Sequence, residues 1–178
     1  MLSGVGLKEV GRAYSVIGKC FRFESTNLSD LRRLWDFTRR EVGFVGTTDY
    51  VLRRRDEAIA AFGPMLDRWH LTGEIRTASD PFFIAPDSTA KTCFQLSSGT
   101  KYEISLPVGS EENRAVGSFN YHTDFFGKAF DIHAQDGSAL HSVCVAFGLE
   151  RWIYAFMAQH GTDPSAWPAE MFRGRQSY

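Results

Sequence analysis

The chain has 178 residues, 43% of them hydrophobic and 23% charged, with a net charge of −1. That balance excludes a disordered polyelectrolyte and a strongly basic nucleic-acid binder, and no apolar run is long enough to span a bilayer. A single domain over residues 1–178 is expected, large enough to bury a sizeable core.

Along the chain, "MLSGVGLKEVGRAYSV" is too broken by glycine and charge to read as a signal peptide. "AYSVIGKCFRFES" reads as a strand bounded by polar residues. In "DLRRLWDFTRREVGFVG" the first part has helical character, but "FTRREVGFVG" alternates like a strand. "TTDYVLRRRDEAIAAFGPMLDRWHL" predicts a helix capped by Thr48 or Asp49, with Val51, Leu52, Ile59 and Phe62 on its apolar side. Gly63-Pro64 predicts a break or kink, and Gly73 a stop. "DPFFIAPDSTAKTCFQLSSGTKYEISLPVG" holds two strands around Ser97-Ser98-Gly99. Further strands follow, with "QDGS" as a hairpin signal. "LERWIYAFMAQHG" predicts a helix ending at Gly161, and the tail a loop with a short helical turn. The sum is an α+β fold, a mainly antiparallel sheet with helices packed on it.

Strand alternation sorts the polar residues onto faces. Cys20, Arg22 and Glu24 share one face of the first long strand, and Phe21 and Phe23 the other, toward the core. On its partner, Phe37, Arg39 and Glu41 share a face. An aromatic ring and a carboxylate beside Arg22 make a floor for a flat base and a polar anchor, and a guanidinium fork suits a phosphate. Ser118, Asn120 and His122 fall together, a row of polar groups fit for a small substrate. So do Ser142, Cys144 and Ala146. Glu150 and Arg151 open the last helix, where a cation opposes the helix dipole and a bound polyphosphate would answer it.

Other patterns lead nowhere. "YSVIGKC" lacks the glycine and the Ser/Thr of a phosphate loop. His141 and Cys144 have no second pair for a closed zinc site. Three widely spaced cysteines, Cys20, Cys93 and Cys144, do not make a disulfide framework, and a reducing cytoplasm is expected. Arg53, Arg54 and Arg55 would suit an acidic protein or a phosphate.

"FRFE", "DFTRREVGF" and "FGLERW", in this order, resemble the second and third signature motifs of class II aminoacyl-tRNA synthetases. "SFNYHTDFFGKAF" followed by "HSVCVAFGLERW" resembles one offshoot more specifically. This is the amino acid:[carrier protein] ligases, related to the catalytic domain of atypical zinc-dependent seryl-tRNA synthetases. The likeness runs from about Val16 to Gly161.

The resemblance implies an antiparallel class II catalytic domain. It also implies ATP-dependent activation of a small amino acid, glycine or alanine by analogy, to an aminoacyl adenylate. The aminoacyl group would then pass to the phosphopantetheine thiol of a carrier protein, with no tRNA or membrane as partner. Arg22 and Glu24 match the second motif, at the α-phosphate and near substrate or adenine. Phe37 matches the ring that stacks under adenine, and Glu150-Arg151 the third motif, with Arg151 near the γ-phosphate. Ser118 and Asn120 are expected at the amino acid. Glu41 and Cys144 match two of three zinc ligands, with Cys20 as stand-in for the third; Mg²⁺ would accompany ATP. The first signature motif, which builds the family's dimer interface, and the first zinc cysteine have no match here, so a shortened domain is expected. The alternative expectation is a non-catalytic binding module, or one part of a split ligase. A different adenylating or amide-forming enzyme on the same scaffold stands third.

Overall fold

The structure, a computed structural model, describes residues 5–7, 11–23, 34–78, 99–110 and 112–172. Glu24, Cys93 and the first of the two strands expected around Ser97-Ser98-Gly99 lie outside them.

The described residues form eight strands: β1 (Val5–Leu7), β2 (Gly11–Phe21), β3 (Asp36–Gly46), β4 (Glu74–Thr77), β5 (Lys101–Pro107), β6 (Asn113–Tyr121), β7 (Ile132–Ala134) and β8 (His141–Gly148). Among the described residues three α-helices join them: α1 (Thr48–Arg68), α2 (Phe125–Ala129) and α3 (Leu149–His160). Two 3₁₀ turns, Pro164–Ala166 and Ala169–Met171, follow. Six strands form one antiparallel sheet in the order β2-β3-β8-β6-β5-β4, and β1 pairs with β7 in a small parallel ribbon. The α+β antiparallel expectation holds for the main sheet.

Helix α1 is capped by Thr47, one residue before the first expected cap. Thr47 Oγ1 accepts the Tyr50 amide at 3.4 Å, the usual role of an N-cap threonine. Pro64 does not end the helix, which runs on to Arg68. A proline removes one N–H and strains one turn, whereas stopping there would strip Leu66, buried with Phe62, from the core. The chain reverses after Trp69, with His70 at φ 50°, rather than at Gly73. The "QDGS" hairpin is present. Gly137 takes φ 84°, and Asp136 accepts the Ser138 amide at 2.9 Å. Helix α3 ends as expected, with Gly161 at φ 79° donating its N–H to Met157 O at 2.8 Å.

One face of the sheet meets α1 and α3. Phe44, Phe119, Val143 and Val145 from the strands join Val51, Leu66, Ala155 and Phe156 from the helices in one buried cluster. Trp152 of α3 lies between Phe147 of β8 and Phe62 and Trp69 of the α1 side, with ring centroids 6.1–6.4 Å away. Each fully buried large side chain stabilises the fold by roughly 1.5–3 kcal/mol. With the helices on this face, the residues of opposite parity form the other face. That second face carries the candidate site.

Candidate functional site

Register places the chemistry. On β3 against β2, Phe37 pairs with Cys20, Arg39 with Gly18 and Glu41 with Val16. On β3 against β8, Glu41 pairs with Ala146 and Gly43 with Cys144. On β6 against β8, Asn120 pairs with Cys144 and Ser118 with Ala146. Lys101 and Glu103 of β5 pair with Asn120 and Ser118. Cross-strand partners share a face. Phe37, Arg39, Glu41, Cys144, Ser118 and Asn120 therefore lie on one surface, with Cys20 at its β2 margin. Small residues keep the middle of this face low: a side chain at Gly43 would meet nothing within 4 Å.

At the β2–β3 end, the Arg22 amide donates to Trp35 O at 2.8 Å, extending the hairpin past Phe21. The Arg22 guanidinium lies over the Phe37 ring, 5.5 Å from its centroid. This end of the face thus carries a cation stacked over an aromatic ring. Phe21 and Phe23, expected in the core, are instead 78% and 82% exposed. The hairpin runs beyond the sheet area that the helices cover, and β2 is an edge strand. Phe23 rests on Trp35 at 5.8 Å.

At the other end lies a buried polar cluster. Asn120, only 2% exposed, donates through Nδ2 to Ser118 Oγ at 2.9 Å and Cys144 Sγ at 3.4 Å. Its Oδ1 is buried without a hydrogen-bond partner among the described residues. His122 Nε2 lies 3.5 Å from Cys144 Sγ, and its Nδ1 3.0 Å from Ser142 Oγ. Arg39 Nε reaches Glu41 Oε2 at 3.2 Å. Burial and then the Glu41 carboxylate push the Cys144 thiol up to about 12, although the Asn120 bond pulls the other way. Burial, helped by the Arg39 charge, lowers His122 to about 4. Thiol and imidazole are therefore both neutral near pH 7.

Glu150 and Arg151 turn to different partners. Glu150 turns to the sheet, where both carboxylate oxygens accept the Thr38 amide, at 2.7 and 2.9 Å. Strand β8 ends at Gly148, opposite Arg39, so the carboxylate takes over the pairing where the strand stops. Arg151 donates through Nη1 to Ala115 O at 3.1 Å, tying α3 to β6.

Glu41 and Cys144, expected as zinc ligands, share this face, and a carboxylate near a thiol would suit two corners of such a site. Among the described residues, however, no three His, Cys, Asp or Glu side chains are arranged to hold a metal ion. Two donors do not make a zinc site. On α1 the three arginines diverge, as successive helical residues must. Arg53 and Arg54 pair with Glu57, and Arg55 pairs with Asp56 and reaches Gly99 O. They form no common basic face.

Two features escaped the sequence reading. Arg39 was placed on the right face but given no task, though its charge bears on both Cys144 and His122. His122 was grouped with Asn120 by alternation, but its tie to Ser142 depends on the β6–β8 register, which the sequence does not carry.

No family model matches the chain. It is 37% identical over 166 residues to amino acid–[acyl-carrier-protein] ligase 1 of Bradyrhizobium diazoefficiens, covering 93% of this chain and 50% of that protein. Ligase 2 of the same organism is 37% identical over 160 residues, covering 89% and 47%. The type-2 serine–tRNA ligase of Methanopyrus kandleri is 27% identical, covering 88% and 31%. The chain thus spans about half the length of the two ligases. Among solved structures, M. kandleri seryl-tRNA synthetase, in complex with tRNASec of A. aeolicus, superposes with a TM-score of 0.74 at 22% identity. That alignment covers 91% of this chain and 33% of the synthetase. The Pyrococcus horikoshii seryl-tRNA synthetase complexed with ATP gives 0.69 at 16% identity, over 97% and 38%. These structures carry the fold, a class II synthetase catalytic domain. The chain is a homologue of the amino acid–[acyl-carrier-protein] ligases, folded as the antiparallel catalytic sheet of the seryl-tRNA synthetases.

Proposed function

We propose that this chain carries the adenylate-forming site of a ligase that activates a small amino acid, glycine or alanine, and loads it onto a carrier protein. One observation carries the reading: a single sheet face joins a cation-over-ring site at Arg22 and Phe37 to a buried polar cluster at Glu41, Cys144, Ser118 and Asn120. Those two ends match the two substrates of adenylation. A carboxylate oxygen of the amino acid attacks the α-phosphorus of ATP, and pyrophosphate leaves. The phosphopantetheine sulfur then attacks the acyl carbon, its proton is released, and AMP leaves with the bonding pair.

Phe37 stacks the adenine and Arg22 neutralises the α-phosphate, with Arg151 toward the terminal phosphates. Glu24 belongs to the same motif and lies outside the described residues. Ser118 and Asn120 hold the amino acid, whose ammonium faces the Glu41 carboxylate. The task is mostly positioning and charge neutralisation. Mg²⁺ would come with the nucleotide. Zinc, if held, would use Glu41 and Cys144 with a third donor from outside the described residues, and would bind the substrate amino group; no step here is routed through it. Cys20 and Cys144 are free thiols, which supports a reducing, cytoplasmic setting. No helix among the described residues is long and apolar enough to cross a membrane.

A second reading, a part that acts only together with another polypeptide, is favoured by the half-length match to the ligases. Incubating the chain with ATP, glycine or alanine and a phosphopantetheinylated carrier protein tests both. An aminoacyl mass gain on the carrier, absent when the carrier lacks its phosphopantetheine arm, supports the ligase. An unchanged carrier mass with folded chain favours the second reading.

A further inference from the structure

His122 has no role in the reading above, yet its ring is fixed by several neighbours. Nδ1 meets Ser142 Oγ at 3.0 Å, the ring stands edge-on to Phe126 at 5.0 Å, and Nε2 points to Cys144 Sγ at 3.5 Å. Its amide donates to Ser142 O at 2.9 Å.

This placement is held against local preference. The next residue, Thr123, takes φ 53°, a region that β-branched residues avoid. Thr123 Oγ1 donates to His122 O at 2.6 Å, and the Ser142 amide donates to Thr123 O at 3.1 Å. A histidine that merely filled space would desolvate two ring nitrogens for nothing that phenylalanine could not supply. Backbone strain maintained by surrounding bonds marks a position whose geometry matters.

Cys144 Sγ sits between His122 Nε2 and Asn120 Nδ2, at 3.5 and 3.4 Å. Asn120 Oδ1 in turn has no hydrogen-bond partner among the described residues. We infer that His122 is a positioning residue: anchored by Ser142 and the Thr123 turn, it sets the Cys144 thiol and, through it, the Asn120 amide that receives the amino acid. The inference rests on the reading that this face binds the amino acid. Arg22 and Phe37 stand at the far β2–β3 end, so a disturbance at His122 reaches the amino acid and spares the nucleotide.

The test uses the full chain carrying His122→Phe, His122→Gln or Ser142→Ala. Its first readout is ATP–pyrophosphate exchange, titrated separately with amino acid and with ATP. His122→Phe raises the amino-acid KM about tenfold, the effect of one lost hydrogen bond. The ATP KM stays within roughly twofold, and His122→Gln, which can still present a polar group to Sγ, recovers part of the loss. The second readout is the alkylation rate of Cys144 in the native protein by iodoacetamide, read by peptide mass, with Cys20 as internal control. Cys144 reacts about tenfold faster in His122→Phe and Ser142→Ala, and Cys20 does not change. Equal losses for both substrates, unaltered Cys144 alkylation, or a parallel rise at Cys20 would overturn the inference, since each points to general loosening or to no coupling. If wild-type protein shows no exchange, the amino-acid reading fails on its own, and the alkylation comparison still decides whether His122 holds the thiol.

Discussion

Removing the Glu150 carboxylate should cost stability before it costs chemistry. Both its oxygens accept the single Thr38 N–H, at 2.7 and 2.9 Å, just past the point where β8 stops pairing with β3. Lys19, 3.9 Å away and more than half exposed, adds little. A hydrogen bond to a charged acceptor is worth about 1.5–3 kcal/mol, and Glu150→Ala leaves the part-buried amide to find water instead. At roughly 2–4 °C per kcal/mol for a domain of this size, the melting temperature should fall by about 3–12 °C. Glu150→Gln keeps a neutral acceptor and should lose about half as much.

The pH dependence carries the same signature. Burial works to raise the Glu150 carboxyl, but bonds from its own amide and from Thr38, with Lys19 nearby, hold it below the usual carboxylate range. A carboxyl depressed in the folded state stabilises fully above its unfolded value, roughly pH 4.3, and loses that contribution as pH falls through the folded one. The gap in melting temperature between wild type and Glu150→Gln should therefore close on acidification into that range. Differential scanning fluorimetry from neutral pH down to the acid limit measures it. An unchanged melting temperature in Glu150→Ala, with nucleotide binding lost, would refute the argument and return Glu150 to the ATP site.

Other outcomes follow from the same geometry. Phe37→Ala should raise the ATP KM with little effect on that of the amino acid, through loss of stacking and of the Arg22 contact; equilibrium nucleotide binding checks it. Phe119, 1% exposed at the centre of the sheet, should cost about 3–5 kcal/mol on truncation to alanine, read by urea unfolding. The Cys144 thiol, pushed up to about 12, should resist alkylation from pH 6 to 9, where an ordinary thiol accelerates steeply; a steep acceleration at Cys144 over that range would contradict its burial. Val16 and Ile17, exposed on edge strand β2, should promote association, and Ile17→Lys should raise the concentration at which light scattering appears.

The faces of the site strands were legible because side-chain alternation has a period of two, whatever the tertiary context. Phe37, Arg39 and Glu41 fell together on paper, as did Ser118 and Asn120, and the structure keeps each set on one face. Alternation does not say which face a helix will cover or how far along. Phe21 and Phe23 share a parity that the sequence reading aimed at the core, but their hairpin outruns the helices and both are exposed. The helix does not break at Pro64 for a related reason: the local cost of proline was visible, whereas the burial of Leu66 two residues later was not. Glu150 and His122 act through partners 112 and 20 residues away, Thr38 and Ser142. No motif spacing encodes such pairs, which exist only once the strands are in register.

The central claim is that this face makes an aminoacyl adenylate, and amino-acid-dependent ATP–pyrophosphate exchange tests it most directly. Purified chain with ATP, magnesium and zinc should exchange label with glycine or alanine, and the exchange should disappear in Arg22→Ala and Arg151→Ala proteins that remain folded. Absence of exchange from well-folded wild-type chain, across glycine, alanine and serine, would contradict the claim.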